Sequence, residues 1–123
     1  MKIMIVDDNP KMRDLIQSML GGFAHERCEA KDGLEAVLKY SDELPDVVLM
    51  DIRMPVMSGI EATVTIRANE SATTGRIPII ALTANAFAED REACLAAGMN
   101  EYVAKPVDKT KLLDTIEKMT AKV

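Results

Sequence analysis

The chain is predicted to be an α/β domain of five strand–helix units, and three observations carry that prediction. Short apolar runs alternate along the sequence with segments of helical period, giving the pattern (βα) five times. Two of those runs, residues 47–50 and 79–82, are continuously apolar, as strands covered on both faces are. Strict alternation of strand and helix in turn implies a parallel sheet with right-handed crossovers and helices on both faces. With 123 residues, 48% of them hydrophobic, the chain has the material for one core, so residues 1–123 are expected to form one domain.

Residues 3–6 form a short β-rich run, and Asn9-Pro10 supplies a helix cap and a first-turn proline, so a strand passes directly into a helix. Met12, Leu15, Ile16, Met19 and Leu20 recur at helical spacing until Gly21-Gly22 ends the pattern. Residues 25–30 read as a weaker, alternating strand at a sheet edge. Leu34, Val37, Leu38 and Ser41 are expected to give one face of a helix starting near Asp32-Gly33. The run 47–50 is the expected central strand, followed at once by Asp51. A loop through Pro55 and Gly59 leads to a helix over 60–68, and the polar segment 69–76 reads as a loop. The next buried strand is 79–82, with Pro78 acceptable only near its start and Thr83 at its end. A helix over 87–97 closed by Gly98, a strand over 102–104, Lys105-Pro106, and a helix carrying Leu112, Leu113, Ile116 and Met119 complete the series.

Composition removes several function classes. A net charge of −5 and a pI near 4.9 oppose the phosphate attraction that dominates nucleic-acid affinity, so direct nucleic-acid binding is not expected. No apolar run reaches the roughly 18–20 residues that span a bilayer, and the opening run stops at two Asp, unlike a signal peptide. A cytoplasmic protein without membrane insertion is expected. Two Phe, two Tyr and no Trp imply an aliphatic core, with the nine Met chiefly as adaptable filler. Cys28 and Cys94 have neither paired spacing nor ligand neighbours, and are expected to be buried reduced thiols.

In an open α/β sheet, ligands gather at the C-terminal strand ends, and Asp7, Asp8, Asp51, Thr83 and Lys105 all occupy such ends. Singly, each has an ordinary explanation: a capping turn for Asp7-Asp8, a turn for Asp51, a helix cap for Thr83, a solvated charge for Lys105. Together they form a constellation. Converging carboxylates repel one another unless a cation compensates, and an all-oxygen donor set with room for water favours Mg²⁺ over a calcium cage. A divalent ion beside a carboxylate, a hydroxyl and a lysine suits phosphoryl transfer, with Asp51 as nucleophile, Thr83 bonding one phosphoryl oxygen and Lys105 neutralising another.

Val6-Asp7-Asp8-Asn9, the segment Asp51-Ile52-Arg53-Met54-Pro55-Val56-Met57-Ser58-Gly59, Ala81-Leu82-Thr83-Ala84 and Lys105-Pro106 resemble the receiver domain of two-component response regulators, of the single-domain, chemotaxis-regulator-like kind. The likeness covers essentially the whole chain. It implies a flavodoxin-like, doubly wound (βα)5 fold with strand order 2-1-3-4-5. It also implies phosphorylation of Asp51 by a phosphohistidine on a sensor histidine kinase or histidine phosphotransfer protein, with Mg²⁺ required. Asp8, Asp51 and the Arg53 carbonyl would bind Mg²⁺ directly, and Asp7 mainly through water. Thr83 and Tyr102 would couple the phosphoryl group to the face formed by helix four, strand five and helix five, where a downstream target docks. Arg53 and Asn85 would flank the phosphoryl group and set its lifetime, and the Lys105-Pro106 bond would be cis. Such a domain catalyses only its own phosphorylation and dephosphorylation. Without an effector domain among these residues, output is expected through another protein.

Three other readings compete. A haloacid-dehalogenase-type hydrolase also forms an aspartyl phosphate, but places its nucleophile in an Asp-x-Asp motif after strand one, which Asp7-Asp8-Asn9 lacks. A flavin-binding module needs a hydroxyl- and Gly-rich loop after strand one and aromatic residues, where this chain offers two Asp and few aromatics. A pseudo-receiver would bind partners without switching.

Overall fold

In the computed structural model, residues 1–22, 26–70, 76–84 and 88–120 are described. Their order is β1 (Lys2–Val6), α1 (Pro10–Leu20), β2 (Glu26–Ala30), α2 (Gly33–Glu43), β3 (Val47–Asp51), α3 (Gly59–Asn69), β4 (Ile79–Thr83), α4 (Ala88–Ala97), β5 (Glu101–Ala104) and α5 (Lys109–Thr120). All five strands are parallel in one sheet of order β2-β1-β3-β4-β5, the flavodoxin-like topology.

Alternation along each strand divides the core in two. Met4, Val6, Val48 and Met50 face Ala36, Ala62, Ile66 and Cys94 on one side. On the other, Ile3, Ile5, Leu49, Ile80 and Leu82 face Ile16, Leu20, Leu112 and Ile116. β3 and β4 are buried at every position, which is why they read as unbroken apolar runs. The methionines serve as filler: Met4, Met50 and Met99 are buried, and Met12, Met19, Met54, Met57 and Met119 pack partly against the core.

Caps fix the helix starts. Asn9 accepts a side-chain bond from the Lys11 amide, Asp32 from that of Glu35, and Ser58 from that of Glu61. Gly21 and Gly98, both at positive φ, follow α1 and α4.

The structure corrects the expected face of α2. Gly33, Ala36 and Tyr40 are buried and Val37 packs beside them, whereas Leu34 and Leu38 are 44% and 64% exposed. At the helix start the inward position is a glycine because it lies against the β3–α3 loop. A Cβ on Gly33 would stand 2.4 Å from the Met57 carbonyl oxygen. α3 also runs one residue past its expected end to Asn69, whose side chain donates to the Thr65 carbonyl at 3.0 Å. Cys94 is buried as expected but Cys28 only partly so, because it lies on the edge strand β2; neither is in a disulfide. His25, expected to open β2, and Phe87, expected to open α4, lie outside the described residues.

Candidate metal centre and active site

β1, β3, β4 and β5 lie side by side, so the residues ending them meet at one edge of the sheet. Asp7 continues β1 by one ladder bond, its amide donating to the Ala30 carbonyl at 3.1 Å. Its carboxylate accepts the Asn9 amide on one oxygen at 2.9 Å and the Lys105 ammonium on the other at 3.2 Å. Asp51 closes β3 and is buried; it too accepts the Lys105 Nζ, at 3.2 Å. Asp8 is exposed at the mouth. Thr83 closes β4, is buried, and its carbonyl accepts the Lys105 amide at 2.7 Å, which ties the ends of β4 and β5 together. The Lys105-Pro106 peptide is cis.

These residues line a cleft of about 290 Å³ together with Asn9, Met12, Ile52, Arg53, Leu82 and Ala84. Six predicted site residues therefore converge: Asp7, Asp8, Asp51, Arg53, Thr83 and Lys105. Arg53 is exposed at the rim. Tyr102 does not line the cleft. It sits partly buried against the core, with the Arg91 guanidinium 4.8 Å from its ring centroid. Asn85 lies outside the described residues.

The charges are out of balance. Burial pushes the Asp51 carboxyl above its ordinary pKa and the neighbouring Asp7 charge adds to this, while Lys105 opposes both without cancelling them. For Lys105, burial pulls downward, but attraction to Asp51 and Asp7 outweighs it and the ammonium is held above the usual lysine range. One ammonium thus serves two buried carboxylates, with a third beside them. Among the described residues, Asp7, Asp8 and Asp51 are the group of three possible ligands whose donor atoms all lie within 4.8 Å of one another. An all-oxygen, incompletely neutralised donor set fits a hard divalent cation.

Sequence reasoning did not single out two contributors. Gly59 opens α3 directly beneath the site, where a Cβ would fall 2.1 Å from the Asp51 carbonyl oxygen. Its place in a turn was legible, but this close approach was not. Arg13, one turn into α1, donates through Nη1 to the Asp7 carbonyl at 2.6 Å and through Nε to Glu29 at 3.1 Å. It read as one of the polar residues between the apolar positions of a helix.

A family model described as the response regulator receiver domain matches residues 3–117. The sensor protein GacS of Pseudomonas syringae pv. syringae is 38% identical over 97% of this chain; the chain spans 13% of that sensor's length. The receiver domain of sensor histidine kinase PA1611 from Pseudomonas aeruginosa, solved with a magnesium ion coordinated in its active-site cleft, is 40% identical. It superimposes with a TM-score of 0.87, over 98% of both chains. The co-crystal structure of the Saccharomyces cerevisiae histidine phosphotransfer signaling protein Ypd1 and the receiver domain of its downstream response regulator Ssk1 holds a chain of TM-score 0.88 and 30% identity. That match covers 98% of this chain and 88% of the other.

Proposed function

We propose, for a chain that belongs to the response regulator receiver domain family of two-component and phosphorelay systems, that Asp51 is its phosphoacceptor and that residues 1–123 act as one phosphorylation switch. The observation that carries this reading is Lys105 bridging Asp7 and Asp51 at 3.2 Å each, at the meeting point of β1, β3 and β5.

An Asp51 carboxylate oxygen forms the new bond to phosphorus as the phosphorus–nitrogen bond of a phosphohistidine breaks. The electron pair leaves with the imidazole, which takes up a proton. Lys105 holds one phosphoryl oxygen as a compact positive charge, and the Thr83 hydroxyl donates to another. Asp8, Asp51 and the Arg53 carbonyl would hold Mg²⁺, with Asp7 acting mainly through water. When bound, Mg²⁺ supplies the positive charge that the carboxylates lack and that a phosphoryl group requires. Arg53 and Asn85 set the lifetime of the phosphoryl group, so Arg53→Ala changes autodephosphorylation more than folding. Thr83 and Tyr102 pass the state of Asp51 to the face of α4, β5 and α5, where a downstream protein binds.

The donor is a sensor histidine kinase or a histidine phosphotransfer protein. The kinship with a sensor protein and with a receiver crystallised beside a phosphotransfer protein supports this. The reading places the domain in the cytoplasm; among the described residues no helix is long and apolar enough to cross a membrane. The chain is a switch and not a turnover enzyme; the chemistry it catalyses is its own phosphorylation and dephosphorylation. A hydrolase of the haloacid-dehalogenase type finds no support in these relatives.

Beryllofluoride, a mimic of the aspartyl phosphate, tests the reading by NMR with Mg²⁺ present. Amide shifts at Asp51, Thr83 and Lys105 that spread to β5 and vanish in Asp51→Asn are expected. Shifts that persist in the variant would contradict Asp51 as the acceptor.

A further inference from the structure

The Asp7 carbonyl stands just past the last paired residue of β1, so the sheet leaves it without a ladder partner. A carbonyl in such a place needs a donor. Arg13 provides it at 2.6 Å, with a side chain only 18% exposed. The second arm of the same guanidinium holds Glu29 on β2 at 3.1 Å, so the fork is fixed from two directions. Arg13 does not line the cleft. Its grip falls on the peptide unit that joins Asp7 to Asp8, whose orientation sets where the two carboxylates point. One goes inward to Lys105 and the Asn9 amide, and the other to the mouth of the cleft.

We infer that Arg13 is a positioning residue for the metal centre, holding the Asp7–Asp8 peptide so that, together with Asp51, Asp8 meets a divalent cation directly and Asp7 through water. The inference rests on the metal-site reading above. It depends on the planar, two-armed guanidinium: a lysine at this position keeps the charge but serves two separated acceptors poorly. Residues that orient metal ligands without touching the ion typically control affinity by 10- to 100-fold.

The test is a calorimetric Mg²⁺ titration of the wild type, Arg13→Gln and Arg13→Lys, paired with melting of each in EDTA. Mg²⁺ binding is expected to weaken about tenfold in Arg13→Gln and by less in Arg13→Lys, while the metal-free melting temperatures stay within about 4 °C of the wild type. A merely structural brace would move the melting temperature and not the Mg²⁺ affinity of the folded protein. Wild-type affinity in both variants, or weakened binding only in step with lost metal-free stability, would overturn the inference and leave the metal site standing. A wild type that binds no Mg²⁺ would overturn both.

Discussion

Asp51 is held by Lys105 and at the same time repelled by Asp7 and deprived of water, and the second pair of effects prevails. A carboxyl raised above its ordinary value of 3.8 binds its proton more tightly in the folded chain than in the unfolded one. Its ionisation therefore subtracts stability as the pH climbs from that value through the folded pKa. Asn at this position carries no charge, keeps an oxygen for Lys105 and ends the repulsion with Asp7. Asp51→Asn is accordingly expected to gain on the order of 1 kcal/mol at pH 7 without Mg²⁺, roughly 4 °C in melting temperature. The gain should fade as the pH falls toward 3.8. A thermal melt in EDTA at several pH values checks this, and a variant less stable than the wild type at neutral pH would show that the Lys105 pair outweighs burial. Lys105 has the opposite sign: held above 10.5, it contributes stability that is present below that value and lost only as the pH rises through its folded pKa.

Among the elements, α3 shows how closely the scaffold approaches the chemistry. Its first residue, Gly59, donates its amide to the Ile52 carbonyl at 2.8 Å, and a Cβ there would meet the Asp51 carbonyl oxygen at 2.1 Å and the Met50 side chain at 2.9 Å. Neither α3 nor the buried strand can yield cheaply, so Gly59→Ala is expected to cost about 3 kcal/mol; urea unfolding measures it, and a cost below ~1 kcal/mol would mean that the helix start can slide. The same kind of contact explains where the sequence misled. Leu34 and Leu38 are the leucines of α2, and hydropathy turned them inward, but Gly33, Ala36 and Tyr40 face the core, and at Gly33 no side chain fits against the Met57 backbone. Apolar period reports which helix is amphipathic, while close approach of two backbones decides which stripe is buried. Strands β3 and β4 were legible for the complementary reason: both of their faces are covered, so burial by itself writes the pattern.

Across the whole molecule, the end of the sheet opposite the site is tied by Arg67 from α3. Its guanidinium, 12% exposed, donates to the Gly98 and Ile77 carbonyls, to Glu70 and to the Asn100 side chain, at 2.7 to 2.9 Å. The same Asn100 oxygen accepts the Ile79 amide, so one side chain joins α3, the start of β4 and the turn between α4 and β5. Removing it breaks these four bonds and leaves the largely buried Glu70 carboxylate without its cation, and Arg67→Ala is expected to lose about 3 kcal/mol in urea unfolding without changing Mg²⁺ affinity. A matching loss of Mg²⁺ affinity would instead tie the two ends of the sheet together. Nothing local in the sequence marks this knot, because its partners come from three separate segments. The residues of the candidate site were legible because each stands at a strand end, a position read from its immediate neighbours. What could not be read was that Lys105 bonds Asp7 and Asp51, 98 and 54 residues away, at once. Intact mass after incubation with acetyl phosphate and Mg²⁺ tests most directly whether Asp51 takes a phosphoryl group. One phosphoryl adduct that requires Mg²⁺ and is absent from Asp51→Asn is the expected result. An adduct that survives in the variant, or none in the wild type even with a phosphorylated histidine phosphotransfer protein as donor, would contradict it.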